Sequence, residues 1–158
     1  MRARAIAGDE SLCRAFTELR RRVLLLQRDP EKLKIEVKEM RERMRRELGS
    51  RSSAAFDLKQ DAGGIADIEF MVQYGALCWA SKLGEHLDYT DNIRLLEGIE
   101  AAGLMPGDDV RLLMDAYRAF RGKVHETALQ EEKSVLDENE LVDYRKHVIR
   151  IWQSMMEQ

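Results

Sequence analysis

Hydrophobic positions recur at intervals of three and four residues along much of the chain, a spacing that places them on one face of an α-helix. Two such stripes occur before residue 50, and an aspartate typical of a helix start precedes each one. The starts are Asp9 and Asp29, the latter followed by Pro30, and the stripes are Leu12, Phe16, Leu19, Val23 and Leu26, then Leu33, Val37, Met40, Met44 and Leu48. The pattern predicts two amphipathic helices, whose apolar stripes ordinarily face a core.

Residues 65–83 have a different pattern, because hydrophobic side chains cover almost every face of the predicted helix. One stripe consists of Ile65, Ile68, Val72, Gly75, Trp79 and Leu83, and the other faces carry Phe70, Met71, Leu77 and Cys78. A helix that is apolar nearly all round is buried by neighbours on several sides. We therefore expect this segment to be the central helix.

Three further helices follow from the same reasoning. One begins at Asp91 and ends near Gly103, the next begins at Pro106, and the last follows Asp137 and Glu140, which resemble a capping box. Their inward positions are Val110, Leu113, Tyr117, Phe120 and Val124, then Leu141, Tyr144, Val148, Trp152 and Met155. Gly75, Gly98 and Gly122 interrupt helical runs, which indicates close helix contacts.

No stretch alternates with a period of two for long, although residues 56–59 suit a short extended segment. The predicted fold class is all-α, an antiparallel bundle of about five to six helices with short connections.

The composition supports one folded domain, since the 158 residues are 44% hydrophobic and 35% charged. No apolar run approaches the ~18 residues of a membrane span, so no membrane partner is expected. The first residues lack the apolar segment of a secretion signal. Cys13 and Cys78 alone cannot form a disulfide framework or a zinc site. We expect a cytoplasmic protein without a bound metal.

Charge is unevenly distributed: residues 1–60 contain 16 basic and 10 acidic side chains, and residues 61–158 contain 10 and 19. We take Arg41, Arg45 and Arg46 as candidate contacts for an acidic partner, with a solvated, ion-paired helix face as the alternative. A nucleic-acid partner is not expected, because the net charge is −3 and few aromatic residues lie among the arginines.

One apparent catalytic motif is rejected. Gly49 and Ser50, followed by Asp67 and Glu69, resemble the glycine turn and paired metal-binding acids of a nucleotidyltransferase. The gap between the two pairs is too long for that pattern. Asp67 also lies in a helical run, where residues two apart point about 200° away from each other and cannot share a metal.

Residues 56–70 are the most informative stretch. Lys59 precedes the Gly63-Gly64 break, which opens a helix with Asp67 and Glu69 near its start. Helix N-termini attract anions, and glycines permit close backbone approach to a ligand. The alternative is a hinge followed by acids that favour the helix dipole.

This stretch resembles the helical domain of the bifunctional glutamine synthetase adenylyltransferase/adenylyl-removing enzymes. The family pattern Phe-Asp-(Ile/Leu)-Lys, then Gly-Gly-Ile-x-Asp-Ile-Glu-Phe-x-x-Gln, is matched by residues 56–59, 63–70 and 73. Three more segments resemble family motifs in the same order, at residues 36–45, 90–97 and 116–130. The related PII uridylyltransferases carry a similar bundle.

The resemblance implies a part of an enzyme that transfers AMP from ATP to a tyrosine of glutamine synthetase, in its C-terminal, adenylylating half. Residues 1–8 would be the tail of an upstream nucleotidyltransferase core, and residues 9–158 a helical bundle with a junction motif at residues 56–73. ATP and magnesium would serve the full-length enzyme, with none bound to this segment and no activity in it alone. The implied partners are glutamine synthetase, the PII signalling protein and the upstream nucleotidyltransferase domain.

The resemblance also implies candidate site residues. Lys59, Asp67 and Glu69 would face the catalytic cleft, and Gly63 and Gly64 would approach the nucleotide. Arg121 and His125, one helical turn apart, are expected in a polar network inside the bundle with Glu69 or Asp67; a regulatory or docking role is the alternative. His86 and His147 are expected on the surface.

A second hypothesis is a helical interaction module that docks PII or glutamine synthetase through its basic helices without contributing to an active site. A standalone small enzyme has no support in the residue spacing.

Overall fold

The computed structural model describes residues 3–50, 55–131, 134–137 and 139–157. This part of the chain contains six α-helices and a pair of three-residue strands. The helices are α1 (Glu10–Leu24), α2 (Pro30–Leu48), α3 (Ile65–Cys78), α4 (Asn92–Ala101), α5 (Gly107–Leu129) and α6 (Val142–Met156). The strands are β1 (Ala55–Asp57) and β2 (Val135–Asp137), and two short 3₁₀ helices, Ala80–Lys82 and Gly84–Asp88, join α3 to α4. The all-α prediction and the predicted number of helices are confirmed.

Three helices begin where the capping residues predicted. The side chains of Asp9, Asp29 and Asp91 accept hydrogen bonds from backbone amides in the first turns of α1, α2 and α4. Hydrogen bonds from the Ser11 hydroxyl and the first-turn amides lower the pKa of Asp9. These bonds satisfy amides that have no partner within the helix.

Helix α3 lies at the centre of the fold, as its all-round hydrophobicity predicted. It contacts α2, α4, α5 and α6. Side chains on several of its faces are buried, among them Ile68, Met71, Val72 and Ala76. The central position of the predicted helix is confirmed, but the helix ends at Cys78 instead of Leu83, and the chain continues in a 3₁₀ helix.

The two strands fasten the segment before α3 to the segment before α6. They pair antiparallel, with Phe56 opposite Leu136. Phe56 is fully buried, and its ring lies 6.0 Å from that of Phe120 in an edge-to-face arrangement. The extended segment suggested by residues 56–59 is therefore a short strand whose aromatic residue anchors it to α5.

The predicted inward stripe of α1 is wrong. All five of its residues are exposed: Leu12, Phe16, Leu19, Val23 and Leu26. The side of α1 that meets the fold instead carries Leu24, which is buried, and two arginines that bind the 3₁₀ helix Gly84–Asp88.

The stripe of α2 is only partly correct. Leu33 and Val37 pack against the core, whereas Met40 and Leu48 are exposed. Arg41, a polar position in the pattern, is fully buried.

Two predictions about the last helices are also wrong. The capping box at Asp137 does not start α6, because Asp137 ends β2 and its carboxylate accepts from Asn139 in the following turn. Helix α6 begins after Leu141, which has a left-handed backbone conformation. Gly122 has open space where a Cβ would lie, so no close helix contact requires it.

Neither predicted surface histidine is fully exposed. A Cβ on Gly98 would lie 2.4 Å from the Cβ of His86, so the 3₁₀ helix packs directly on α4. The Nδ1 atom of His147 is buried. In the described part of the chain, no helix combines the length and apolar character needed to cross a membrane.

Candidate functional site

A buried ion-pair cluster joins α2 to the start of α3. Arg41 Nε donates to Asp67 Oδ1 at 2.6 Å, and Arg45 Nη2 lies 3.2 Å from the same oxygen. The other carboxylate oxygen of Asp67 accepts from the Gly63 amide at 2.6 Å. The side chains of Arg41 and Asp67 are 0% and 1% exposed. A buried carboxylate needs such partners, so this cluster fixes the position of α2 on α3.

The cluster corrects two predictions. Arg41 cannot meet an acidic partner protein, because Asp67 and the carbonyl oxygens of residues 60 and 61 enclose its guanidinium. Asp67 cannot face a catalytic cleft, since it is buried by this chain alone. The residues expected to act outward therefore hold the fold together.

The backbone before α3 folds into a compact turn held by two aspartates. Asp57 Oδ1 accepts from the amides of Lys59 and Gln60, and Asp61 Oδ2 accepts from the amide of Asp57. This turn directs the side chain of Lys59 into solvent. Lys59 is therefore exposed, and its cleft-facing role stays a prediction.

The N-terminus of α3 is already occupied by the chain itself. The amides of Ile65 and Ala66 donate to the carbonyl oxygens of Leu58 and Lys59 at 2.8 and 3.1 Å. The Gly63 amide is used by Asp67. These three amides, which lie where a phosphate would bind, therefore have internal partners.

The two glycines of the junction are packing residues. Gly63 has φ +81, and a Cβ there would lie 2.6 Å from the carbonyl oxygen of Arg145 in α6. A Cβ on Gly64 would lie 2.7 Å from the carbonyl oxygen of Leu58. Both glycines are buried against backbone, so the prediction that they approach a nucleotide is wrong.

A second, partly exposed polar cluster lies where α3, α4 and α5 meet. Asn92 Nδ2 donates to the Tyr117 hydroxyl at 2.9 Å, and that hydroxyl donates to Glu69 Oε1 at 3.3 Å. Asn92 Nδ2 also lies 3.4 Å from Glu69 Oε1. Asn92 is buried, whereas Glu69 and Tyr117 are half-buried. We call Glu69, Asn92 and Tyr117 the Glu69 cluster.

The Glu69 cluster presents an oriented carboxylate at the surface of the bundle. The Tyr117 hydroxyl donates to Glu69 Oε1, and Asn92 Nδ2 lies 3.4 Å from the same oxygen, so these two neutral groups help to orient the carboxylate. Sequence reasoning identified Glu69 but missed Asn92 and Tyr117 as its partners. The signal in the sequence was that three of the segments that resemble family motifs, residues 63–70, 90–97 and 116–130, each contain one of these polar residues.

The predicted Arg121–His125 network is wrong. Both side chains are exposed on α5. Asp67 instead accepts hydrogen bonds from Arg41, Arg45 and the Gly63 amide, and Glu69 accepts from Asn92 and Tyr117. The interior network exists, but other residues form it.

The remaining candidates for partner contact differ in exposure. Arg45 is partly exposed and pairs with Asp67 from the edge of the buried cluster. Arg46 is exposed on the outer side of α2. Arg46 therefore remains a candidate contact for an acidic partner.

Residues 31–153 match the family described as GlnD PII-uridylyltransferase. The chain belongs to this family. It is also homologous to segments of curated proteins named bifunctional glutamine synthetase adenylyltransferase/adenylyl-removing enzyme. The relative from Thioalkalivibrio sulfidiphilus is 49% identical over 158 residues, covering 100% of this chain and 16% of the relative.

Two other relatives with the same name give similar values. The protein from Pseudomonas aeruginosa is 46% identical over 167 residues, which covers 98% of this chain and 17% of the relative. The protein from Nitrosococcus oceani is 46% identical over 157 residues, which covers 99% of this chain and 16% of the relative. The chain thus spans about one sixth of the length of these relatives. The suggested resemblance to the adenylyltransferases and to the uridylyltransferase bundle is confirmed.

Proposed function

We propose that this chain is the helical part of a glutamine synthetase adenylyltransferase, in which a separate nucleotidyltransferase domain transfers AMP from ATP to a tyrosine of glutamine synthetase. The observation that supports this most is the 49% identity over the full chain to an enzyme of that name. We further propose that the chain comes from the adenylylating, C-terminal half, and that residues 1–8 belong to the tail of the catalytic core. The protein would act in the cytoplasm.

The residues of this chain do not fit a nucleotide–magnesium site of their own. The described part contains no group of three or more acidic, histidine or cysteine side chains placed to hold a metal ion. The N-terminal amides of α3 are also occupied by carbonyl oxygens. ATP and magnesium would therefore be bound by the catalytic domain.

The contribution we assign to this chain is the Glu69 cluster together with Lys59. Tyr117 and Asn92 orient the Glu69 carboxylate at a half-buried position, where a group can receive a proton from a hydroxyl. Lys59 is exposed on the turn that leads into the same helix. In this proposal both side chains face the catalytic cleft of the neighbouring domain.

The test uses the longer protein that carries this chain. We expect Glu69→Gln to slow adenylylation of glutamine synthetase at least ~30-fold while the melting temperature changes little, because general-base catalysis contributes about 10²–10⁴ in rate. Lys59→Met should also slow the reaction. Glu42→Gln, an exposed acid on α2, is the matched control and should leave the rate unchanged.

Full activity of Glu69→Gln with a lowered melting temperature would show that the Glu69 cluster only stabilises the bundle. The second candidate function would then be favoured: a module that docks PII or glutamine synthetase. Exposed Arg46 supports that alternative. In that case Arg46→Glu should weaken binding of one of the two proteins and reduce the salt dependence of that binding.

A further inference from the structure

Helix α1 is amphipathic, but its apolar side faces away from the fold. Of the exposed large hydrophobic side chains in the described residues, most lie before residue 50, and five form one line along α1 and the turn that follows it: Leu12 (69% exposed), Phe16 (38%), Leu19 (56%), Val23 (47%) and Leu26 (60%). We call these five residues the α1 stripe. Because these side chains are aligned and not scattered singly, the stripe is a candidate interaction surface.

Polar contacts on another side of the helix set its orientation. Arg20 donates to the carbonyl oxygens of Leu87 and Tyr89, and Arg21 pairs with the carboxylate of Asp88 at 2.7 Å. Burial lowers the pKa of the Arg20 guanidinium, which still remains charged at neutral pH. Because these bonds lock α1 to the 3₁₀ helix Gly84–Asp88, the helix cannot roll its stripe inward without breaking them.

We propose that the α1 stripe is the surface on which a neighbouring domain of the same longer polypeptide docks. The inference rests on the proposed function, since it takes the occupant from the part of the adenylyltransferase that lies outside this chain. The relatives contain that part: this chain accounts for 16–17% of their length. The occupant should offer an apolar patch, and exposed Arg22 at the edge of the stripe favours acidic side chains beside that patch.

The size of the stripe favours an attached domain over a second copy of the chain. A 15-residue helix is about 22 Å long and about 10 Å wide, so one face covers roughly 220 Å². A stable complex between separate proteins usually buries about 800 Å² on each partner. Covalent attachment supplies an effective concentration of about a millimolar, which allows a small surface to remain occupied.

The test compares amide hydrogen exchange of α1 in the 158-residue chain and in the longer protein. We expect exchange of the α1 amides to be at least ~10-fold slower in the longer protein. The double variant Phe16→Glu with Leu19→Glu should restore the fast exchange there. Leu129→Glu, at an exposed leucine of α5 (87% exposed), is the matched control and should not.

Three results would overturn the inference. Equal exchange of α1 in both proteins would mean that nothing covers the stripe. A large drop in melting temperature of the 158-residue chain on the double substitution would mean that the stripe is already packed. Dimerisation of that chain, abolished by the double variant, would identify a second copy as the occupant. None of these measurements uses enzyme activity, so an inactive protein with a protected α1 would contradict the proposed function alone.

Discussion

Arg41 shows how a basic residue at a polar position of a helical pattern can be fully buried in the fold. Its guanidinium meets the Asp67 carboxylate and two carbonyl oxygens, and its side chain has no solvent exposure. Arg45, one turn further along α2, reaches the same carboxylate from the surface. The ion pair forms because α3 presents an aspartate in its first turn directly opposite α2.

Removing one partner of this pair should destabilise the protein strongly. We expect Asp67→Ala to lower the free energy of unfolding by about 3–5 kcal/mol, because Arg41 would remain buried without a counter-charge. At roughly 2–4 °C per kcal/mol for a chain of this size, the melting temperature should fall by at least ~6 °C. Thermal melting followed by circular dichroism measures the shift.

Arg46→Ala is the matched control, since the residue is on the same helix but exposed. It should change the free energy of unfolding by less than ~0.5 kcal/mol. A comparable loss in Asp67→Ala and Arg46→Ala would contradict the assignment of Asp67 as a structural residue.

The sequence could not distinguish Arg41 from Arg46, because both occupy polar positions of the same helical pattern. Their difference arises from the rotation of α2 on α3, which depends on a contact 26 residues away in the chain. The sequence motif at residues 63–70 indicated Glu69 as a candidate site residue. Its hydrogen bonds to Asn92 and Tyr117 could not be predicted, because they depend on how α4 and α5 pack. Local patterns predict residue types at a site better than they predict partners.

At the scale of elements, helix starts with an aspartate cap were predictable and the start of α6 was not. Asp9, Asp29 and Asp91 each act on their own first turn. Asp137 instead belongs to β2, whose existence depends on pairing with β1 far away in sequence. The helical glycines show the same limit of local patterns. Gly98 and Gly122 both lie inside helical runs, but only Gly98 packs closely against another residue, His86.

Two glycine substitutions should have opposite effects on stability. Gly122→Ala should raise the free energy of unfolding by about 0.5–1 kcal/mol, because alanine favours a helix and no atom lies near the new methyl group. Gly98→Ala should lower it by about 1–3 kcal/mol, because its Cβ would overlap the Cβ of His86, which only a shift of the 3₁₀ helix relieves. Chemical denaturation of both variants measures the two changes. Stabilisation by Gly98→Ala would show that the 3₁₀ helix does not pack on α4 as described.

For the whole molecule, the all-α class followed from periodicity, and the central position of α3 followed from its all-round hydrophobicity. The helix whose surroundings were predicted wrongly is α1. Its pattern is that of a core-facing helix, yet the described chain offers no surface to cover it. Periodicity shows that a face is apolar but not whether the covering surface belongs to the same segment.

This arrangement makes α1 the most dispensable helix for folding and α6 one of the least. Helix α1 contributes Leu24 to the core and its arginines to one 3₁₀ helix. Helix α6 contacts both α3 and α5 and buries Val148, Ile151, Trp152 and Met156.

A chain that begins at Asp29 should therefore still unfold cooperatively. We expect a loss of about 3 kcal/mol, chiefly the burial of Leu24 and the hydrogen bonds of Arg20 and Arg21, and hence a melting temperature lower by roughly 6–12 °C. A chain that ends at Glu140 should not fold, because removing α6 uncovers the faces of α3 and α5 that its four buried residues occupy. Circular dichroism melting of both truncations makes the comparison. Loss of cooperative melting in the chain starting at Asp29 would mean that α1 is an integral part of the core, whereas cooperative melting without α6 would mean that the core closes without its last helix.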